Sequence, residues 1–435
     1  MISKEKWAEI IKDFHEKGIP ELMQRELEIP TDIPLKRAIT IIGPRRAGKT
    51  YSMFQLIKQV TEKNVSLERV LYINFERTDL EGVKVNDLDE MIRTYYDIYP
   101  EHKKKIYLFL DEIQNIDGWE KFIRTIIERE NIQVFISGSS SKLLSKEIAT
   151  SLRGRTLTYN IFPFSFKDFL AARGLKVDKY LSSSEKSKIM NALDEYLHTG
   201  GYPEVVIYGK EKERILHDIL ETTIYRDIVD RYNVRNVNLL KLLIKSLINS
   251  AGRNFSIHRF YNFIKSEGIK ASKMTLYNYI DALSDVFCIF TLRKYSGSYK
   301  EREQSLPKVY VIDNGILTSN GIADNGRLIE NLVFLEFKRR GEEICYYTST
   351  DNKEVDFVLL SKNKVKALIQ VAYSLDDYEV KEREVTSLLK ASKELGCNNL
   401  IIITWSKEGE EKVSGKTIKY IPLWKWLLSS SLRER

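Results

Sequence analysis

The first third of the chain repeats one alternation: a short, continuous apolar run, then a longer segment whose apolar positions recur every three or four residues. Ala38-Ile39-Thr40-Ile41-Ile42, Arg69 to Phe75 (RVLYINF), Lys105 to Asp111 (KIYLFLD), Ile132 to Ile136 and Thr156 to Ile161 are runs of strand type. Ile2 to Lys17, with Trp7, Ile10, Ile11 and Phe14 at helical spacing, Tyr51 to Val60, Leu88 to Tyr99 and Gly118 to Glu130 read as helices. KIYLFLD is apolar up to its final acid, the pattern of a strand buried on both faces of a parallel sheet. The predicted class is α/β. Gly18 to Pro34, with Pro20, Pro30 and Pro34, reads as a connection of short turns.

The pattern then changes. Lys176 to Lys188, with Ser182, Ser183 and Ser184, is a polar break, and Leu193 to Tyr232 is mostly helical apart from a turn at Gly200-Gly201-Tyr202-Pro203. Three short helices follow, Leu239 to Ser250, Ile257 to Lys265 and Lys273 to Phe287, the last with Ser272 as N-cap. Two strands, Cys288 to Tyr295 and Lys308 to Ile312, are joined by Ser296 to Pro307. Three helices and a hairpin match winged-helix architecture. From Gly326 to Trp426 the order is a helix, Leu328 to Arg340, and strands Glu343 to Tyr347, Glu354 to Leu360, Val365 to Val371 and Leu400 to Thr404, with a helix at Glu379 to Leu395.

Length changes the picture by excluding a single ordinary core: 435 residues imply roughly two to four domains. The divisions read from the pattern are 1–175, 176–235, 236–320 and 321–435. An apolar fraction of 43% with 30% charged residues excludes a disordered chain. Lys4, Glu5, Lys6, Glu9, Lys12 and Asp13 break any signal-peptide reading, and no run approaches the ~18 apolar residues of a membrane span, so a cytoplasmic protein is expected. Cys288, Cys345 and Cys397 are far apart and lack metal spacing, so they read as apolar side chains. The net charge is +8, and Asn236 to Tyr310 holds 12 Lys and Arg against 5 Asp and Glu. The excess is thus concentrated in the winged-helix segment, where it permits a polyanionic partner.

Candidate chemistry centres on Gly43-Pro44-Arg45-Arg46-Ala47-Gly48-Lys49-Thr50, between the first strand and the helix opening at Tyr51. G-x-x-x-x-G-K-T in that context is a phosphate loop. Its backbone N–H groups turn inward on phosphate oxygens, Lys49 reaches the β and γ phosphates, and Thr50 ligates Mg²⁺. Asp111 and Glu112 close KIYLFLD at the strand end where an open parallel sheet binds ligands. Asp111 is the candidate to hold Mg²⁺, through water, and Glu112 to orient or deprotonate the attacking water, against the alternative that both only cap the next helix. Ser139, in the run Ser137-Gly138-Ser139-Ser140-Ser141, either senses the γ phosphate or caps the helix near Lys142. Arg153 or Arg155 is the candidate to act in trans on the γ phosphate of a neighbouring copy, which implies a homo-oligomer; surface arginines are the alternative.

GPRRAGKT, YLFLDEIQ, FISGSSSKLLS, LRGR followed by FPFSFKDFL, and later GGYP and TTIYRDIV together resemble a large prokaryotic group of AAA-type ATPases. These carry a carboxyl-terminal domain of uncharacterised function with a restriction-endonuclease-like core, and the resemblance covers nearly the whole chain. It implies ATP and Mg²⁺ as cofactors. It also implies that Lys49, Thr50, Asp111 and Glu112 fill the two phosphate-site motifs, that Ser139 lies in a sensor stretch and Arg153 and Arg155 in an arginine motif, and that 176–235 is a helical lid. Arg226 in that lid is either a sensor of the γ phosphate or a partner in a surface ion pair.

In the third helix of the basic segment, Leu276, Ile280, Leu283 and Phe287 form a core stripe and leave Lys273, Tyr277 and Asn278 outward, types suited to DNA contact. Arg293, Lys294, Lys300 and Arg302 could place the wing on phosphates. The endonuclease-like order needs an acid on the helix, an acid opening a strand and E-x-K on the next. Glu330 and Asp356 fit the first two, but the third reads Gln370-Val371-Ala372, so a degenerate site and no cleavage are expected. The reading is an ATPase that couples ATP turnover to DNA binding or remodelling. Its alternatives are an ATP-dependent switch acting on a protein partner and an ATP-regulated nuclease.

Overall fold

The computed structural model describes residues 2–101, 105–129, 131–139 and 154–429. The chain divides into two units, Met1–Phe162 and Pro163–Arg435. In the first, α1 (Lys4–Lys17) is capped by Ser3, which accepts from the Lys6 N–H, and ends at Gly18 with φ 68°. Its buried Trp7, Ile10 and Ile11 are the stripe read from the sequence. The helix packs on α3 (Asp87–Ile98) and on strand β2 (Val70–Asn74). The remaining elements are β1 (Ala38–Ile42), α2 (Lys49–Thr61), β3 (Ile106–Asp111), α4 (Trp119–Ile126), β4 (Ile132–Gly138) and β5 (Thr156–Asn160).

All five strands run parallel in the order β2-β3-β4-β1-β5. β1 and β3 are buried along their whole length, which is why their sequences carry no alternation. Phe109 and Phe135 stack between β3 and β4 with ring centroids 4.3 Å apart. Because β4 lies between them, the carboxyl ends of β1 and β3 flank one crevice.

In the second unit, α5 (Phe166–Ala172) and α6 (Ser183–Thr199) each open on a capping box, Ser165 with Asp168 and Ser182 with Glu185. The serines read as part of a polar break are therefore a helix start: Ser182 caps the helix and Ser183 and Ser184 lie in its first turn. α7 (Pro203–Tyr208) and α8 (Lys212–Thr222) follow, and α8 runs on through a π-helical segment, Thr223–Val229, to Tyr232. Next come α9 (Val237–Asn249), α10 (Ile257–Ser266), α11 (Lys273–Asp285) and an antiparallel hairpin of β6 (Ile289–Leu292) and β7 (Lys308–Val311). The link between these strands is not an open loop but carries α12 (Tyr299–Gln304), capped by Ser298. After α13 (Asn314–Ser319) and α14 (Asn325–Arg339), a six-stranded mixed sheet is built from β8 (Glu343–Thr348), β9 (Glu354–Ser361), β10 (Lys364–Ala372), β11 (Leu400–Thr404), β12 (Gly409–Val413) and β13 (Lys416–Pro422). Its order is β12-β13-β11-β10-β9-β8, parallel through β10, β11 and β13. α15 (Tyr378–Leu395) covers β9 and β10, and α16 (Leu423–Leu428) closes the unit.

One contact explains the paired glycines before Tyr202. The buried Asp313 carboxylate accepts from Gly201 N–H at 2.7 Å and from Gly315 N–H at 2.8 Å. A Cβ at Gly200, where φ is +76°, would lie 1.8 Å from Asp313 Oδ1, and one at Gly201 would lie 2.3 Å from the Phe164 carbonyl oxygen. Only glycine lets these segments close on each other. Cys288 and Cys397 are buried and Cys345 is half-buried; all three are free thiols. Among the described residues no helix is long and apolar enough to cross a membrane.

Candidate functional site

The loop Gly43 to Gly48 leaves β1 at its carboxyl end and delivers Lys49 and Thr50 to the first turn of α2. The two glycines serve different needs. Gly48 takes φ 90°, while Gly43 sits so close to the end of β5 that a Cβ would lie 2.1 Å from the Ile161 carbonyl oxygen. Arg46 also adopts a left-handed conformation, φ 60°. Arg45 pairs with Glu76 at 3.4 Å, and Tyr51 stands exposed beside Phe54. Beneath the loop, Arg25 from the turn-rich connection donates to the Ala47 carbonyl at 2.9 Å and to the Phe162 carbonyl at 2.8 Å. Gln55 of α2 bonds both the N–H and the carbonyl of Arg25, at 3.0 and 2.7 Å. The connection thus fixes the loop from behind.

Across the crevice, Asp111 is fully buried at the end of β3 and gathers three hydroxyls. Thr50 Oγ1 donates to Oδ2 at 2.7 Å, Tyr72 donates to the same oxygen at 3.0 Å, and Ser137 donates to Oδ1. Burial raises the Asp111 pKa, as does Glu112 beside it, while these hydroxyls lower it. Ser137 Oγ in turn accepts the Glu112 N–H at 2.9 Å. Glu112 takes φ 52°, a left-handed conformation rare outside glycine and asparagine, which turns its side chain toward Lys49. Lys49 Nζ lies 3.4 Å from Glu112 Oε1 and 3.2 Å from the Pro44 carbonyl. Burial works to raise the Glu112 pKa, but the Lys49 ammonium, a hydrogen bond from Gln114 and the Arg45 charge outweigh it and hold the group below its ordinary value. Ser139, 2% exposed, has an Oγ with no hydrogen-bond partner among the described residues.

Lys49, Thr50, Asp111, Glu112 and Ser139 thus belong to one crevice. The donor set fits a nucleotide with Mg²⁺: an orphaned buried hydroxyl, an ammonium beside the loop, and a threonine hydroxyl bonded to the carboxylate that would share the ion with it. Arg155 is not part of this crevice. It precedes β5 at the opposite end of the strands, where its carbonyl accepts from Ala38 N–H at 2.9 Å and its guanidinium pairs with Glu128. Arg153, Ser140 and the helix expected near Lys142 lie outside the described residues. Tyr72, Gln114 and Arg25 carry no local signal in the sequence, whereas Ser137 belongs to the serine run that ends the buried strand.

In the second unit, Arg226 is exposed within the π-helical segment. Lys273, Tyr277 and Asn278 project outward from α11 together with Met274, over a buried stripe of Leu276, Ile280 and Leu283. The hairpin cations are less available than the sequence implied. The acids of α12 meet the two cations that follow β6, Lys294 with Glu301 at 3.1 Å and Arg293 with Glu303 at 3.8 Å, while Arg302 lies 4.0 Å from its chain neighbour Glu303; Lys300 is exposed.

Glu330 of α14, Asp356 of β9 and Gln370 of β10 do come together, around a residue not anticipated, Lys308 of β7. Its Nζ lies 2.9 Å from Glu330, 2.8 Å from Glu354 and 3.2 Å from Asp356, with the side chain 2% exposed. Burial opposes the Lys308 charge, yet the acids raise its pKa well above the ordinary value. Burial also pushes Glu330 up to about 7 against the pull of Lys308.

A parallel sheet with a glycine-bounded loop leading into a helix that opens on Lys-Thr, facing a buried acid pair two strands away, defines a P-loop nucleotide-binding domain. Comparison with known proteins narrows this. Residues 35–170 match the AAA domain, and residues 190–324 and 325–426 match two domains of unknown function, DUF8612 and DUF4143. An uncharacterized protein of Methanocaldococcus jannaschii is 40% identical over 421 residues, covering 94% of this chain and 92% of its own length. One from Haemophilus influenzae is 29% identical over 391 residues, covering 88% and 93%. The chain belongs to the same family as the Methanocaldococcus jannaschii protein. Among solved structures, the Walker-type ATPase of Pyrococcus abyssi is similar at 12% identity and TM-score 0.44, over 74% of this chain and 96% of that one. The Aeropyrum pernix ORC1 protein in complex with DNA is similar at 15% identity and TM-score 0.28, over 78% and 94%. Likeness at this level assigns no activity or partner to this chain.

Proposed function

We propose that the chain is a Mg²⁺-dependent ATPase that couples ATP turnover to DNA binding or remodelling. The observation that carries hydrolysis is the Lys49, Thr50, Asp111 and Glu112 constellation. Mg²⁺ bound with the nucleotide would draw negative charge from the β and γ phosphates. Thr50 and Asp111, which share a hydrogen bond of 2.7 Å, would hold it. Lys49 would leave Glu112 for the phosphates, and the freed carboxylate would orient and deprotonate the attacking water. Ser139 Oγ would bond the γ phosphate or that water. Arg153 or Arg155 would act only on a neighbouring copy in a homo-oligomer.

DNA as partner is supported by α9, α10, α11 and the hairpin, read as a winged helix over 236–320. The outward Lys273, Tyr277 and Asn278 share the segment with the exposed Arg253, Arg259, Lys265 and Lys270. Residues 176–235 would be the lid, and 321–435 an endonuclease-like fold that binds without cutting. The test is ATP turnover measured against single-stranded, duplex and branched DNA across a salt series. DNA-stimulated turnover and an affinity that falls steeply with salt are expected. Equal turnover with and without every DNA form removes the coupling.

A second reading, an ATP-dependent switch with a protein partner, is favoured by two observations. Met274 and Tyr277 on α11 and Phe263 on α10 are exposed apolar groups, and the hairpin cations are largely paired with glutamates. Slow turnover, retained nucleotide and no DNA affinity would select it.

A further inference from the structure

A restriction-endonuclease-like domain implies a divalent metal between the acid on its helix and the acid opening its strand. The residues here do not fit one. A metal needs carboxylate oxygens with free lone pairs converging at about 2.0–2.6 Å on one point. The point on which Glu330, Glu354 and Asp356 converge is filled by Lys308 Nζ, whose three donors match three acceptors at 2.9, 2.8 and 3.2 Å. Two of these carboxylates carry further bonds. Glu330 Oε1 also accepts from Tyr310 at 2.8 Å, and Asp356 Oδ2 accepts from Val371 N–H at 3.0 Å. Gln370 stands where the third metal-binding acid would be. It turns its oxygen to Asp356 N–H at 2.7 Å and its amide nitrogen to the Glu354 carbonyl at 3.1 Å and to Glu384. Among the described residues no group of three or more His, Cys, Asp and Glu is placed to hold a metal ion.

We infer that the Lys308 ammonium is the resident cation of this cluster, standing where the fold would otherwise carry a divalent metal, and that it fastens the hairpin to the carboxyl-terminal sheet. The attachment runs along the whole of β7. Tyr310 stacks on Phe334 of α14 at 4.0 Å, Asn331 bonds the Val311 N–H at 2.9 Å, and Lys308 at the start of the strand reaches β9. A hairpin tied in this way moves with the sheet. The inference rests on the endonuclease-like reading of 321–435 and not on what the ATPase acts on.

The test uses the full chain, free of nucleotide, with Asp111→Asn to silence the phosphate site, and Mn²⁺ titrated by calorimetry and electron paramagnetic resonance. With Lys308 intact, no Mn²⁺ site should respond to Asp356→Asn. Lys308→Met should create one site per chain, at least about tenfold tighter than any background, and adding Asp356→Asn should abolish it. A Mn²⁺ site present with Lys308 intact and lost in Asp356→Asn overturns the inference. So does a folded Lys308→Met chain that binds none. If Lys308→Met does not fold, the arm with Lys308 intact still decides.

Discussion

Tyr72 donates to Asp111 Oδ2, the same oxygen that accepts from Thr50, at 3.0 Å. The edge strand β2 thereby reaches the proposed metal ligand from the side opposite the phosphate loop. Tyr72 also packs against Phe14 of α1 and Phe54 of α2, with ring centroids 5.2 and 4.9 Å away. Tyr72→Phe keeps this packing and removes one donor to a buried carboxylate. The nucleotide-free protein should lose about 1 to 2 kcal/mol, read as a lower urea midpoint. The Mg²⁺ concentration for half-maximal turnover should rise severalfold. Wild-type values for both would remove Tyr72 from the site.

The proposed roles of Glu112 and Lys49 separate under mutation. Glu112→Gln should bind ATP with affinity within a few fold of wild type and lower turnover by about a hundredfold or more. Lys49→Ala should lose nucleotide affinity itself. Calorimetric titration of ATP with steady-state turnover on the same preparations distinguishes the two; a Glu112→Gln chain with normal turnover would leave the water-activating group unassigned.

Gly43 and Gly200 should tolerate alanine poorly, for different reasons. Gly43→Ala places a methyl 2.1 Å from the Ile161 carbonyl oxygen, so the loop must shift away from β5 and nucleotide affinity should fall at least about tenfold, with little loss of secondary structure. Gly200→Ala combines positive φ with a 1.8 Å approach to Asp313, and should cost about 3 kcal/mol or more in the second unit. Circular dichroism melts alongside ATP binding test both.

Asp313 supplies a pH dependence. Burial raises its pKa to about 6 from 3.8, against the two backbone donors that favour its anion. The folded state therefore binds the proton more tightly than the unfolded one. The stabilisation is fully present below pH 3.8 and is lost as pH rises through about 6, a change of about 3 kcal/mol. Wild-type urea stability should contain this fall between pH 4 and 7, and Asp313→Asn should lack it. Parallel wild-type and variant profiles would place the titration elsewhere.

The parallel sheet and the phosphate loop were legible because their signals are local. β1 and β3 are buried on both faces and read as unbroken apolar runs, and the loop residues are contiguous. β12 (GEEKV) was not legible, since an exposed edge strand carries no apolar alternation. Ser182 was misread because serine marks loops and helix caps alike, and the deciding Glu185 lies three residues on. Of the Lys308 cluster, Glu330, Asp356 and Gln370 were legible from the order of elements, but Lys308 was not: its partners lie 22 and 48 residues away on a helix and a strand, and the expected lysine position holds Ala372. Tyr72 is one of 24 tyrosines, and only the pairing of β2 with β3, which sets Asn74 opposite Asp111, brings it to that carboxylate.

The 3.4 Å approach of Lys49 to Glu112 bears on how the proposed site would meet a nucleotide. Two buried charges of opposite sign neutralise each other, so neither Lys49 nor Glu112 stands as an uncompensated charge. In the proposed mechanism an incoming triphosphate would compete with Glu112 for the ammonium and, by winning, would free the carboxylate proposed as base. A diphosphate would lack the terminal group that completes the proposed exchange. The crevice would thus read phosphate number at the threshold, before any bond is cut.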